Sequence, residues 1–198
     1  ARFWLKVLND LKARGLKDIL IFCGDGLTGL DKALEAVYPL ADLQLCVVHQ
    51  VRNATKFVSY KDRRPFCADM RPIYTAPTME AATLALEAFD QKWGNRYPAS
   101  VGSWKNKFDK LTTFLKYPVE LRKIIYTTNK IESLHAQMRK NIQNRKVFPN
   151  DEALLKLLFL NVNNFSARWN VRQGWDLVFN QLMMMFPERL AQVVQDQL

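Results

Sequence analysis

"KDILIFCGDGLTGLDKALEAVYPLADLQLCVVHQ", residues 17–50, contains two short apolar runs separated by an amphipathic segment. The first run, Ile19–Cys23, is long enough for a buried strand and too short for an independent helix. It ends at Asp25, which Gly24 and Gly26 flank. The segment TGLDKALEAVY has helical spacing and stops before Pro39, and Thr28 with Asp31 predicts a weak capping box at its start. The second run, LQLCVVHQ, reads as another buried strand of the same kind. Ahead of them, Phe3, Trp4, Val7, Leu8 and Leu11 recur at helical spacing, and Gly15 closes that segment. Residues 1–50 therefore read as helix, strand, helix, strand, which is an α/β unit with a parallel sheet and a right-handed crossover.

Residues 51–125 change character. VRNATKF, TMEAATLALEAFDQKWG and the region around Trp104 and Phe108 read as helices rich in aromatic and charged residues, an all-helical insertion. The Pro-containing stretches RPIYTAP, RYPAS and KYPVE read as its turns. Residues 126–198 hold a long helix from Asn129, another from Asn150 or Asp151 through Trp169, and a Met-rich amphipathic close around LMMMF at 182–186. Ile131, Leu134, Met138 and Ile142 form one apolar stripe, while Asn129, Glu132, His135, Arg139 and Gln143 gather on the neighbouring face. Glu132 thus falls at the border of core and solvent, where a carboxylate reaches into a cleft. On its residues alone it reads first as a solvated helix glutamate.

The whole chain of 198 residues carries 29 Lys+Arg against 19 Asp+Glu, a formal charge of +10. That balance suits a nucleic-acid binder, although ribosomal and membrane-surface proteins share it. Basic groups at Arg63 and Arg64, Lys105 and Lys107, and Arg139, Lys140, Arg145 and Lys146 suit phosphate contacts. Three cysteines, Cys23, Cys46 and Cys67, cannot all pair within one chain and read as reduced thiols of a cytosolic protein. No apolar stretch is long enough to span a membrane. The first residue is Ala rather than Met, which fits processing or a fragment of something longer. Cys46 and His49 are half of a zinc-ligand set, or a buried thiol and a satisfied histidine. Trp104 is a core aromatic or a platform for an unpaired base.

The acidic residue after a buried strand in GDGLTGL, the following strand ending in CVVHQVRN, the helical insertion, and the later acidic residue in TTNKIES resemble the Mutator-type transposases of bacterial insertion sequences. The resemblance extends through YPASVGSWKNKFDKLTTFLKYPVELRKIIYTTNKIES, RKNIQNRKVFPNDEALLKLLFL and FPERL, covering about residues 3–191. It implies a ribonuclease-H-like catalytic core interrupted by an all-helical insertion, partial here, with an Asp, Asp, Glu triad. By that likeness Asp25 is the second aspartate and Glu132 the glutamate, both ligands of Mg²⁺, with Mn²⁺ as a substitute. Cys46 and His49 match a Cys-x-x-His signature, and Trp104 matches a tryptophan of the insertion. His135 stands where members of this group more often have Asn.

The first aspartate is expected on a strand upstream of Ala1, so this chain alone is expected to hold metal weakly and not to complete catalysis. The strand carrying Asp25 would then be an unpaired apolar edge, prone to self-association. The resemblance further implies DNA as partner, with His49, Arg52, Arg139 and Lys140 as contacts, and a homodimer or higher oligomer in the full-length protein. It implies a bacterial, cytoplasmic and nucleoid-associated setting. A non-catalytic DNA-binding or dimerising remnant of such an enzyme is the alternative.

Overall fold

A computed structural model describes residues 2–125, 129–143, 147–167 and 174–195. The chain divides into two compact units, residues 1–128 and 129–198. It is mostly helical with a small two-stranded parallel sheet. Among the described residues no helix is long and apolar enough to cross a membrane.

The first unit opens with α1 (Arg2–Ala13), β1 (Ile21–Gly24), α2 (Leu30–Val37) and β2 (Asp42–Leu45). β1 and β2 pair in parallel, with Ile21 opposite Asp42 and Gly24 opposite Leu45. The apolar faces of α1 and α2 meet over this ribbon, burying Leu8, Ala33, Leu34, Val37 and Tyr38, with Trp4, Leu5 and Phe22 packed against them. Among the described residues β2 is the sole strand partner of β1. Three of the four β1 residues are only half-buried, so the strand expected to be fully enclosed is not.

Three local expectations are corrected. LQLCVVHQ is not one strand: β2 stops at Leu45 and α3 (Val47–Thr55) begins two residues later, with Cys46 as its N-cap. Val47 and Val48 favour strands by β-branching, but Val47 is drawn into the helical core at 1 % exposure, and packing overrides that weak preference. Thr28 and Asp31 form no capping box. Gly29 is the N-cap of α2 in the left-handed region, and the Asp31 carboxylate instead accepts from the Lys32 backbone N–H and from Lys110. RPIYTAP is largely helix, because α4 (Tyr60–Thr75) runs through Pro65 and Pro72.

α5 (Met79–Trp93), capped by the Thr78 hydroxyl, packs on α4. α6 (Pro98–Lys105), the short α7 (Phe108–Leu111), a 3₁₀ turn at Thr113–Lys116 and α8 (Val119–Ile125) complete the unit. Phe66 is fully buried, meeting Phe89, Trp93 and Tyr97 edge to face. This core also holds Leu45 and Val47, so β2 and the start of α3 are anchored in the helical layer. The far edge of β2 is tied down by polar contacts. Thr113 Oγ1 donates to the Leu43 carbonyl at 2.9 Å, and Gln44, fully buried, bonds to backbone groups of Leu45, Leu111 and Phe114.

The second unit consists of α9 (Asn129–Gln143), α10 (Asp151–Ala167), α11 (Trp175–Met185) and α12 (Pro187–Gln195). α9 packs on α10, with Leu134, Met138 and Ile142 half-buried along the expected stripe. The Asn150 side chain caps α10 by accepting from the Ala153 N–H at 2.9 Å. Arg145, Lys146 and Trp169 lie outside the described residues.

Candidate functional site

The site begins where β1 ends. A parallel strand delivers its last residue to the carboxyl edge of the sheet, the side on which open α/β sheets bind ligands. Asp25 is the residue after β1 and is exposed there. Gly26 and Gly29 adopt φ of 58° and 77°, which turns the chain sharply away into α2 at positions where a side chain would be strained.

The neighbouring strand ends at the same edge and converts at once to α3. Cys46 occupies the N-cap position of that helix and His49 follows one turn later, so both side chains leave its N-terminal end on one side. His49 Nδ1 lies 3.2 Å from Cys46 Sγ and 3.2 Å from Asp25 Oδ1. The potential ligand atoms of Asp25, Cys46 and His49 all fall within 4.8 Å of one another. The thiol is buried, while the Asp25 and His49 side chains are about one-third exposed, at 37 % and 30 %. This is a small polar group with a dry floor and an open mouth. Arg52, one turn beyond His49 on α3, is exposed.

Cys23, on β1, contributes to the floor of the strand. Burial pushes its thiol up to about 11, with the neighbouring Cys46 adding to the rise, and its Sγ faces the Ile125 carbonyl at 3.5 Å. It is therefore a neutral thiol at physiological pH. Beside the glycine turn lies a cleft of about 580 Å³ lined by Gly26–Lys32 and by Lys107 and Lys110. The Lys107 ammonium stands over Gly26, 3.8 Å from where a Cβ would be. Lys110 bonds Asp31 at 2.8 Å, and this contact, with the Lys32 backbone N–H, holds the Asp31 carboxyl below its usual value. Lys110 was not singled out by the sequence, since α7 is too short to show a periodic face.

In the second unit Glu132 lies in the first turn of α9 and is half-buried, whereas His135, Arg139, Lys140 and Gln143 are exposed. The core–solvent border expected for Glu132 is therefore real. Arg139 Nε donates to the His135 carbonyl at 3.3 Å. Trp104 has no exposed surface and stacks on Tyr74 at 6.1 Å between ring centroids, which makes it a core residue.

The chain matches the transposase family of Mutator type over residues 1–172. It is 44% identical over 191 residues to the transposase for insertion sequence element ISRM3 of Rhizobium meliloti, covering 96% of this chain and 48% of that protein. It is 40% identical over 212 residues to a probable transposase for an insertion sequence element of Corynebacterium diphtheriae, covering 96% and 62%. With the transposase for element IS905 of Lactococcus lactis it shares 31% over 185 residues, covering 92% and 47%. The chain thus spans about half the length of most of these relatives. A match across most of its residues shows that this chain belongs to the Mutator family of transposases.

Proposed function

We propose that the chain is part of the catalytic domain of a DNA transposase that cleaves and rejoins insertion-sequence ends. In this reading it supplies a ribonuclease-H-like core with Asp25 as the second carboxylate of an Asp-Asp-Glu triad and Glu132 as its last. The observation that carries the reading is the place of Asp25. It stands exposed at the carboxyl edge of a parallel sheet, on a turn that two left-handed glycines hold.

The reaction is an in-line displacement at phosphorus. A water, or a 3′-hydroxyl in strand transfer, attacks the phosphate; a new P–O bond forms, the bond to the leaving 3′-oxygen breaks, and that oxygen takes up a proton. Carboxylate oxygens are the donor type Mg²⁺ prefers, and Asp25 and Glu132 are the residues that would hold it. When bound, divalent ions stabilise the charge that develops on the attacking and leaving oxygens. The chain's own groups do the rest. Gly26 and Gly29 turn the chain away after Asp25, and His49 Nδ1, at 3.2 Å, restrains its carboxylate. Lys107 beside the glycine turn, Arg52 on α3, and Arg139 and Lys140 on α9 offer cations to the phosphate backbone.

The test is a hybrid in which this chain replaces the matching segment of the Rhizobium meliloti transposase. Asp25→Asn and Glu132→Gln should each abolish excision of that element in cells while leaving binding to its ends intact. Excision that survives either substitution overturns the reading. End binding with no excision by the unsubstituted hybrid favours the non-catalytic alternative.

A further inference from the structure

The group formed by Asp25, Cys46 and His49 is richer than a magnesium site requires. Mg²⁺ takes oxygen ligands in near-octahedral geometry and makes little use of a thiol or an imidazole. Two of the three converging atoms here are sulfur and nitrogen. One thiolate, one imidazole and one carboxylate together are a donor set for zinc and its borderline-soft neighbours.

The distances agree. With Zn–S of about 2.3 Å and Zn–N and Zn–O of about 2.1 Å, a tetrahedral ion separates S from N by about 3.6 Å and N from O by about 3.4 Å. His49 Nδ1 lies 3.2 Å from each of its two neighbours, so an ion needs shifts of only a few tenths of an ångström on those edges. The remaining sulfur–oxygen pair lies within 4.8 Å, and the Asp25 side chain, 37 % exposed, has room to turn toward Cys46. Charge agrees as well. A thiolate and a carboxylate neutralise a divalent ion, and Cys46 stands at the N-terminus of the nine-residue α3, whose dipole favours negative charge there. Among the described residues this is the sole group of three or more such side chains with converging ligand atoms.

We propose that Asp25, Cys46 and His49 form a three-ligand site for a zinc-class divalent ion, with a fourth position open to solvent. Cys46 and His49 both distinguish this site from an oxygen-ligated magnesium site at Asp25, and Cys46 is the ligand whose thiolate gives a spectroscopic signature. Asp25 is common to both, so the two ions compete for it. The site stands on its own geometry, independently of the strand-transfer reading.

The test is a Co²⁺ titration of the metal-stripped chain, followed by absorption. The site predicts a thiolate-to-cobalt charge-transfer band with intense tetrahedral d–d bands, saturating at one equivalent and bleached by Zn²⁺. Cys46→Ser should abolish the charge-transfer band, and His49→Ala and Asp25→Asn should weaken binding by at least the roughly 10–100-fold range known for loss of a ligand's outer partners. Cys23→Ser and Cys67→Ser should retain the band, and far-UV circular dichroism of every variant should match the parent. A band that persists in a folded Cys46→Ser, or that is lost in Cys23→Ser, overturns the assignment. So does Co²⁺ binding without any sulfur band. Zinc binding and excision are read separately, so either proposal can fail alone.

Discussion

Replacing Gln44 with leucine should destabilise the first unit out of proportion to the change in shape. Gln44 is fully buried on β2, beneath the turns that follow α7. Its Nε2 donates to the carbonyls of Leu45 and Leu111 at 2.7 and 2.9 Å, and its Oε1 accepts from the Phe114 N–H at 2.6 Å. Leucine fills nearly the same volume but strips the Leu111 carbonyl and the Phe114 N–H of these partners. Each buried backbone group left unsatisfied costs about 1–3 kcal/mol. The more apolar side chain offsets about 1–2 kcal/mol of the pair. A net loss of about 3 kcal/mol is expected, equivalent to a Tm lower by roughly 6–12 °C for a chain of this size. Urea unfolding followed by circular dichroism measures it, with the exposed Gln143→Leu as a control expected to stay within about 0.5 kcal/mol of the parent. A Gln44→Leu midpoint equal to that of the control would refute the role given to this side chain.

Other outcomes follow from the same contacts. The Tyr97 hydroxyl, then the Ser59 hydroxyl, with Arg96 adding, hold the Asp62 carboxyl below its usual value. A depressed carboxylate stabilises the fold above its unfolded value of about 3.9, and that stability fades as pH falls through the lower folded value. Asp62→Asn should therefore flatten the acid side of the urea midpoint between about pH 5 and pH 2. Trp104→Ala should cost about 3–5 kcal/mol in stability, whereas Trp104→Phe should leave affinity for a single-stranded oligonucleotide unchanged. A loss of the size of a stacked base, about 1–3 kcal/mol, would return Trp104 to the DNA surface. Arg139→Gln and Lys140→Gln should each reduce the salt dependence of DNA binding by about one ion, read from log K against log salt.

Much of this architecture is legible in residues 17–50. A short apolar run between helical patterns reads as a strand, and its acidic exit between glycines puts Asp25 at the sheet edge. The helix α9 is equally plain, because an apolar stripe marks it. The end of β2 was not legible, since Val47 and Val48 look like strand and only their burial among distant helices makes them the start of α3. That error hid the most informative contact. Cys46 and His49 three residues apart along a strand would point to opposite faces, but on a helix they converge, and they do so on Asp25. Lys107 is legible as a basic residue, but its place in the cleft is not, and Lys110 is not singled out at all. Both meet the glycine turn through a fold-back of about eighty residues, which no local pattern records.

The central claim, that Glu132 serves as a metal-ligating carboxylate in DNA strand cleavage, is tested most directly by changing the ligand rather than deleting it. Glu132→Cys, made in the hybrid transposase, replaces hard oxygen donors with a sulfur that accepts Mn²⁺ far better than Mg²⁺. The account predicts cleavage of element-end DNA lost in Mg²⁺ and recovered in Mn²⁺. Full activity of Glu132→Cys in Mg²⁺ would contradict it.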